Sequence, residues 1–332
     1  MAMDGKLARG YARQSLRNFG DTYPAALAAL STDLLPYCKD LYTKGKLSRG
    51  QAKAVVSAFT RHVGSQPHFL WMERFGDASH PKLSQHFTEG LHCLRLNLAR
   101  CQNGATALIA HADRMLATRH RIEFRSADLA VAITDHALVR LLERGDERIA
   151  AFSQGLMPDL LLAKVFMAQA TAGSQPIVIP HQRGMFLGQC EHRPGHAQWC
   201  SMRTRTFDRT GEHDVVSAPM AARGGAGPVV ILSTFVGEAE MSDGQRQLRD
   251  QLRALTKRHA GTLVDDNLAE ALCRPLGEAL VAGREIDLTS LRELEENLRR
   301  LTGSPLWLRT VRGPAHKSVR VSVAPLRAAG IQ

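Results

Sequence analysis

The hydrophobic residues of this chain change their period near residue 175, and that change limits the fold more than any other feature. Before it, apolar side chains recur every three or four residues, the spacing of one face of an α-helix. After it come short β-rich runs at 177–179 and 185–188. A nearly continuous apolar run follows at 229–236, as a central strand carries. Helical spacing returns over 245–258, 267–281 and 288–301. Helices, then strands, then helices predict an α+β fold with a mainly antiparallel sheet.

In the first part, Ser48 stands as an N-cap before 51–62, where Ala54, Val55, Ala58 and Phe59 share a stripe. Residues 81–101 carry Leu83, Phe87, Leu91, Leu94 and Leu98 at spacings of four, four, three and four, which predicts an amphipathic helix. Asn103-Gly104 breaks it, and 105–119 reads as another helix. At roughly 100–200 residues per domain, 332 residues predict two domains. The period places a helical domain at 1–125 and an α+β domain at 126–332. The latter ends in a hairpin of 306–312 and 319–323 joined at 313–317.

Forty-three Lys and Arg against 32 Asp and Glu give a net charge of +11, so the expected partner is a polyanion: nucleic acid, with RNA favoured. No apolar run approaches the ~18 residues of a membrane-spanning helix, and none of signal-peptide length follows the basic N-terminal stretch, so no membrane is expected. Six cysteines are too few for a disulfide scaffold. They fit reduced thiols and a cytoplasmic location, and a signal-less exported effector would look the same.

His136, Arg140 and Arg144 are spaced by four and share one helical face, opposite Leu138, Leu141 and Leu142. A histidine moves protons near neutral pH, and arginines stabilise charge on a phosphorus centre, so this set suits RNA cleavage as well as a plain solvated face. His181 and Arg183 lie on a predicted hairpin tip, as phosphate contacts or as an ordinary polar turn. Cys190, His192, His196 and Cys200 hold two thiols and two imidazoles within eleven residues, which makes zinc the candidate cofactor; a polar hairpin loop is the alternative. From Arg299 onward there are seven Lys or Arg and no acid. Arg309, Arg312, Lys317 and Arg320 would line the terminal hairpin as phosphate contacts, with Trp307 able to stack on a base. The Gly-rich 223–227 stretch precedes a strand rather than a helix, which rules out a nucleotide-binding loop. Neither a G-x-S-x-G nor an H-E-x-x-H pattern appears.

The run from Ile133 to Gly145, with its His-Ala-Leu-x-Arg-x-x-Glu-Arg-Gly core, resembles the first helix of bacterial toxin domains of the barnase–EndoU–RelE group of ribonucleases. The resemblance covers 133–236, about a third of the chain. It implies helices followed by a twisted antiparallel sheet and metal-independent RNA cleavage. His136 would be general acid or base, Arg140 would stabilise the phosphate with Arg144 beside it, and Thr234 on the last strand would orient the reacting groups. The N-terminal region and the last ~90 residues have no counterpart in those small toxins. Two other classes fit the same sequence: a non-catalytic DNA- or RNA-binding regulator of a plasmid or phage, and a protein-interaction or effector protein acting through a partner or as a homo-oligomer.

Overall fold

The computed structural model of the protein describes residues 4–64, 69–76, 87–100, 106–144, 159–169, 174–194, 202–217, 226–264, 288–305, 307 and 310. Helix α1 (Gly5–Lys44) opens on Asp4, whose carboxylate accepts from the Lys6 N–H at 2.9 Å. It ends at Gly45, where φ is +66° and the N–H reaches the Leu41 carbonyl. Left-handed φ is cheap only for glycine, so this residue sets the sharp stop. Helix α2 (Arg49–Gly64) starts with a reciprocal cap: Ser48 N–H donates to Gln51 Oε1 at 2.8 Å, and Gln51 N–H donates to Ser48 Oγ at 3.2 Å.

Among the described residues nine strands form one sheet: β1 (Phe69–Gly76), β2 (Thr88–Arg100), β3 (Thr106–Thr118), β4 (Arg121–Thr134), β5 (Ser174–His181), β6 (Gly184–Pro194), β7 (Met202–Asp208), β8 (Gly211–Ser217) and β9 (Ala226–Gly237). The main path runs β1-β2-β3-β4-β9-β6-β5. Every pairing is antiparallel except β4 with β9. β4 forks: its first half pairs with β7, which carries β8, and its last turn of residues, Val131 to Ile133, pairs with β9. Helix α3 (Asp135–Arg144) follows β4 directly and packs on β9 and on α1. Two 3₁₀ turns (Asp159–Leu161 and Glu238–Glu240), α4 (Leu162–Gln169), α5 (Asp243–Arg258), α6 (Ala260–Val264) and α7 (Leu288–Thr302) complete the described elements.

The largest core draws Ala8 and Ala12 of α1, Leu94 and Leu96 of β2, and Leu108 and Ala110 of β3 together with the apolar faces of α3, β5, β6, β9 and α5. A second core lies on the other face of β2–β4, under α2: Val55, Phe59, Leu91, Cys93, Met115 and Ile122 belong to it. On the face of Leu91 and Cys93, Arg95 is 3% exposed and grips Asp113 with Nε at 2.7 Å and Nη2 at 3.3 Å. Ser126 closes the network, donating to Asp113 at 2.6 Å and accepting from Arg95 at 3.2 Å.

The α+β class is observed. Within it, two expected helices are strands. Residues 81–101 and 105–119 were expected to be helical from their leucine and alanine spacing. Their described parts form β2 and β3, paired from Thr88↔Thr118 to Arg100↔Thr106. The reason is burial on both faces: Leu91 and Cys93 point into one core, Leu94 and Leu96 into the other, so the two-residue alternation of a strand is erased. The hairpin at 177–188 and the central strand at 229–236 stand as β5–β6 and β9. The expected boundary near residue 125 falls inside β4. Of the expected C-terminal hairpin only Trp307 and Thr310 are described, and both are helical. Arg309, Arg312, Lys317 and Arg320 lie outside the described residues, as do 267–281.

Candidate functional site

Thr134 ends β4 and starts α3. Its hydroxyl accepts the Ala137 N–H at 3.2 Å and donates to the Ser233 carbonyl of β9 at 3.4 Å, so one side chain caps the helix and ties it to the sheet. Ala137, Leu138, Leu141 and Leu142 are buried against the core. The other face of α3 is left toward α1, and between the two helices lies a cleft of about 230 Å³ lined by Arg9, Ala12, Arg13, Asp135, His136, Val139, Arg140 and Glu143. The helices approach closely here. A Cβ placed on Gly5 would come within 2.8 Å of Glu143 Oε1, at the flexible end of that side chain.

Three arginines and a histidine therefore share one concave surface with two carboxylates. Arg140 donates to Glu143 at 2.9 Å, and Asp135 accepts the His136 backbone N–H at 2.7 Å, so both acids are already engaged. Arg9 and Arg13 are exposed on successive turns of α1. Burial at the cleft wall and then the Arg140 charge hold the His136 imidazole below the usual histidine range. An imidazole of lowered basicity can accept a proton from its neutral form while guanidinium groups beside it hold an anion.

The other expected members of the site are elsewhere. Arg144 turns away from the cleft: Nη1 donates to the Phe235 carbonyl at 2.7 Å and pairs with Glu240 at 2.7 Å, which fastens the end of α3 to the end of β9. Gly237 sits so close to this latch that an added Cβ would lie 2.8 Å from Arg144 Cβ. Thr234 is half-buried opposite Leu187 in the β6–β9 ladder and is not among the residues lining the cleft. His181 was expected at an exposed hairpin tip. It is instead fully buried, edge-on to Phe186 and Phe235 at 6.1 and 5.5 Å, because it is the last residue of β5, paired with Gly184, and its ring lies on the same sheet face as those two phenylalanines. Arg183 is exposed on that turn, and its carbonyl accepts the Glu238 N–H at 2.9 Å.

Of the expected zinc set, Cys190 is a core residue of β6 at 0% exposure, and burial pushes its thiol up to about 11. His192 lies two residues on along the same strand, and His196 and Cys200 are outside the described residues. No group of three metal-binding side chains occurs among the described residues. No described helix is long and apolar enough to cross a membrane.

The pairing of His136 with Arg140 was legible from their four-residue spacing. The partnership with Arg9 and Arg13 was not, although these too are spaced by four, because which helix faces α3 is decided by tertiary packing. The fold and this cleft define an α+β protein with a basic, histidine-bearing groove between two helices. Comparison with protein-family models, curated proteins and solved structures finds no match.

Proposed function

We propose that the protein binds RNA through the α1–α3 cleft, with Arg9, Arg13 and Arg140 taking phosphate oxygens and His136 facing the ribose. The observation that carries this reading is the convergence of those four side chains in one concave site of about 230 Å³. Arginine gives planar, bidentate donors to phosphate, and a net charge of +11 adds long-range attraction to a polyanion. A site of this size suits one nucleotide of a single strand better than a duplex. A cytoplasmic location agrees with Cys38, Cys93 and Cys190 being buried free thiols.

One observation favours a second reading, metal-independent cleavage. His136 lines the cleft one turn from Arg140, and partial burial with that charge lowers its basicity, which favours the neutral form a base needs to take the proton of a 2′-hydroxyl. The 2′-oxygen would then attack phosphorus to form a 2′,3′-cyclic phosphate, and the 5′-oxygen would leave as a hydroxyl, its proton returned by the His136 imidazolium directly or through water, with Arg140 stabilising the extra charge. This reading uses His136 and Arg140 of the centre implied by the resemblance to toxin ribonucleases, and neither Arg144 nor Thr234.

Both readings are tested by incubating the protein with labelled single-stranded RNA in EDTA and resolving it on native and denaturing gels. A retarded band that Arg9→Gln/Arg13→Gln weakens by about tenfold supports binding at the cleft. Shortened RNA that His136→Ala leaves intact adds cleavage. Free, intact RNA with the wild-type protein rejects both and turns attention to a protein partner.

A further inference from the structure

Far from the cleft, three turns meet at the other end of α1. The α1–α2 turn is held to the β3–β4 turn by Leu47 N–H donating to the Arg119 carbonyl at 2.7 Å. His120 Nδ1 lies 3.1 Å from the Gly45 carbonyl in the same place. The β7–β8 turn closes from the side, where a Cβ on Gly45 would sit 3.2 Å from Arg209 Cδ. These contacts gather Lys44, Lys46, Arg119, His120, Arg121 and Arg209, which are far apart in sequence.

The acids nearby are committed to partners. Asp40 pairs with Lys44 at 2.9 Å, Glu123 with Arg125 at 2.8 Å and Arg121 at 3.5 Å, and Glu212 with Arg205 at 3.1 Å. Asp208 accepts from both the N–H and the hydroxyl of Thr210. Lys46, Arg119 and Arg209 form no ion pair among the described residues, and Lys46 and Arg209 are exposed. The three turns therefore present three cations, Lys46, Arg119 and Arg209, that make no ion pair among the described residues and are available to an anion. Beside it on the last turns of α1, Tyr42 is 41% exposed. The apolar residue of the α1–α2 turn, Leu47, is 2% exposed, so the turn offers little to insert into a lipid layer.

We propose that these three turns form a second phosphate-binding surface, on which Lys46, Arg119 and Arg209 take the backbone of a nucleic acid and Tyr42 stacks on a base. The stretch of α1 from Arg13 to Lys44 is about 46 Å long at 1.5 Å per residue, so one strand spanning both ends of the helix engages two separated basic sites. The inference rests on the RNA reading of the cleft only for the class of ligand.

The test is anisotropy of a fluorescein-labelled, unstructured 40-nucleotide RNA with the full-length protein, at salt from 50 to 200 mM. The substitutions Lys46→Gln/Arg119→Gln/Arg209→Gln are compared with Arg9→Gln/Arg13→Gln, and urea midpoints check that each variant is folded. The triple variant is expected to bind about tenfold or more weaker, and its slope of log affinity against log salt to shrink by about 2, at ~0.7 per lost contact on a single strand. Tyr42→Leu is expected to weaken binding with the salt slope kept. A folded triple variant with unchanged affinity and slope overturns the second surface; if the cleft variant weakens binding in the same series, the cleft reading stands alone. Loss in the triple variant with none in the cleft variant leaves the turn surface and removes the cleft. If only the triple variant's binding to vesicles of phosphatidylserine and phosphatidylcholine falls, with RNA binding intact, the surface takes lipid and the proposal is rejected.

Discussion

His136 owes its lowered basicity to its surroundings on α3. Withdrawal from water at the cleft wall comes first, the positive charge of Arg140 one turn on comes second, and Asp135 and Glu143 oppose both. Replacing Arg140 with alanine removes a cation and leaves Glu143 without its partner, so both changes favour the protonated ring. The expected result is a His136 titration midpoint below the usual histidine value in the wild type, moving up in Arg140→Ala. Ring-carbon NMR titration reads this directly. A midpoint unmoved by the substitution would show that the two side chains do not sense each other across the turn. Arg144, in the same stripe, belongs to a different job. Its guanidinium holds the Phe235 carbonyl and Glu240, so Arg144→Ala leaves a carbonyl without its donor and loosens the α3–β9 joint. A loss of about 1–3 kcal/mol by urea denaturation is expected, with RNA affinity changed far less than by Arg9→Gln/Arg13→Gln.

At the scale of elements, the 3₁₀ turn at Asp159–Leu161 packs on α5 through a buried carboxyl. The Asp159 side chain is 3% exposed, 3.4 Å from Arg253 Nε, and hydrogen-bonded to Thr256. Burial outweighs both partners and pushes its pKa up to about 6 from the ordinary 3.8. A carboxyl raised on folding stabilises the fold in its protonated form. That contribution is complete below about pH 4 and is lost as pH rises through about 6. The neutral isostere escapes the loss. Asp159→Asn is therefore expected to match the wild type near pH 4 and to exceed its stability by on the order of 2 kcal/mol at pH 7–8. Parallel urea stability curves for the two proteins from pH 4 to pH 8 would refute the assignment.

The elements also show what a single sequence can reveal. Helices α2, α3 and α5 were legible because each presents one apolar face to a core, and the β5–β6 hairpin and β9 because β-branched runs and a tight turn mark them. β2 and β3 were hidden by burial on both sides and by the helix-favouring Leu and Ala they carry. Strand pairing overrides such preferences. Half of the cleft was legible, the His136 and Arg140 half, because spacing within one helix is local. Arg9 and Arg13 reach the cleft, and Lys46, Arg119 and Arg209 share the far end of α1, only through packing between elements, which no spacing encodes.

The whole molecule is held together by β4. It pairs with β3 on one side and with β7 and β9 on the other, and the largest core takes side chains from α1, β2 and β3 as well as from β5, β6, β9, α5 and Trp307. A division at 125/126 would cut β4 in two and separate Arg95 and Asp113 from Ser126. It would also expose Leu94, Leu96, Leu108 and Ala110, which are 1% exposed or less in the intact chain. Unfolding is therefore expected to be a single cooperative event rather than two. Tryptophans report on both ends: Trp71 lies on edge strand β1, and Trp307, 4% exposed, packs against Phe166 at 5.6 Å. In a Trp199→Phe background, the further substitutions Trp307→Phe and Trp71→Phe leave one reporter at each end. Their fluorescence midpoints in urea are expected to coincide with each other and with the far-ultraviolet circular dichroism midpoint. A fragment of 1–125 made alone is expected to lack a cooperative transition, since its half of the main core has no cover. Two separated midpoints, with the 1–125 fragment reproducing the one seen by Trp71, would instead mean two folding units meeting within β4. The forked strand would then be a joint between domains rather than the spine of one.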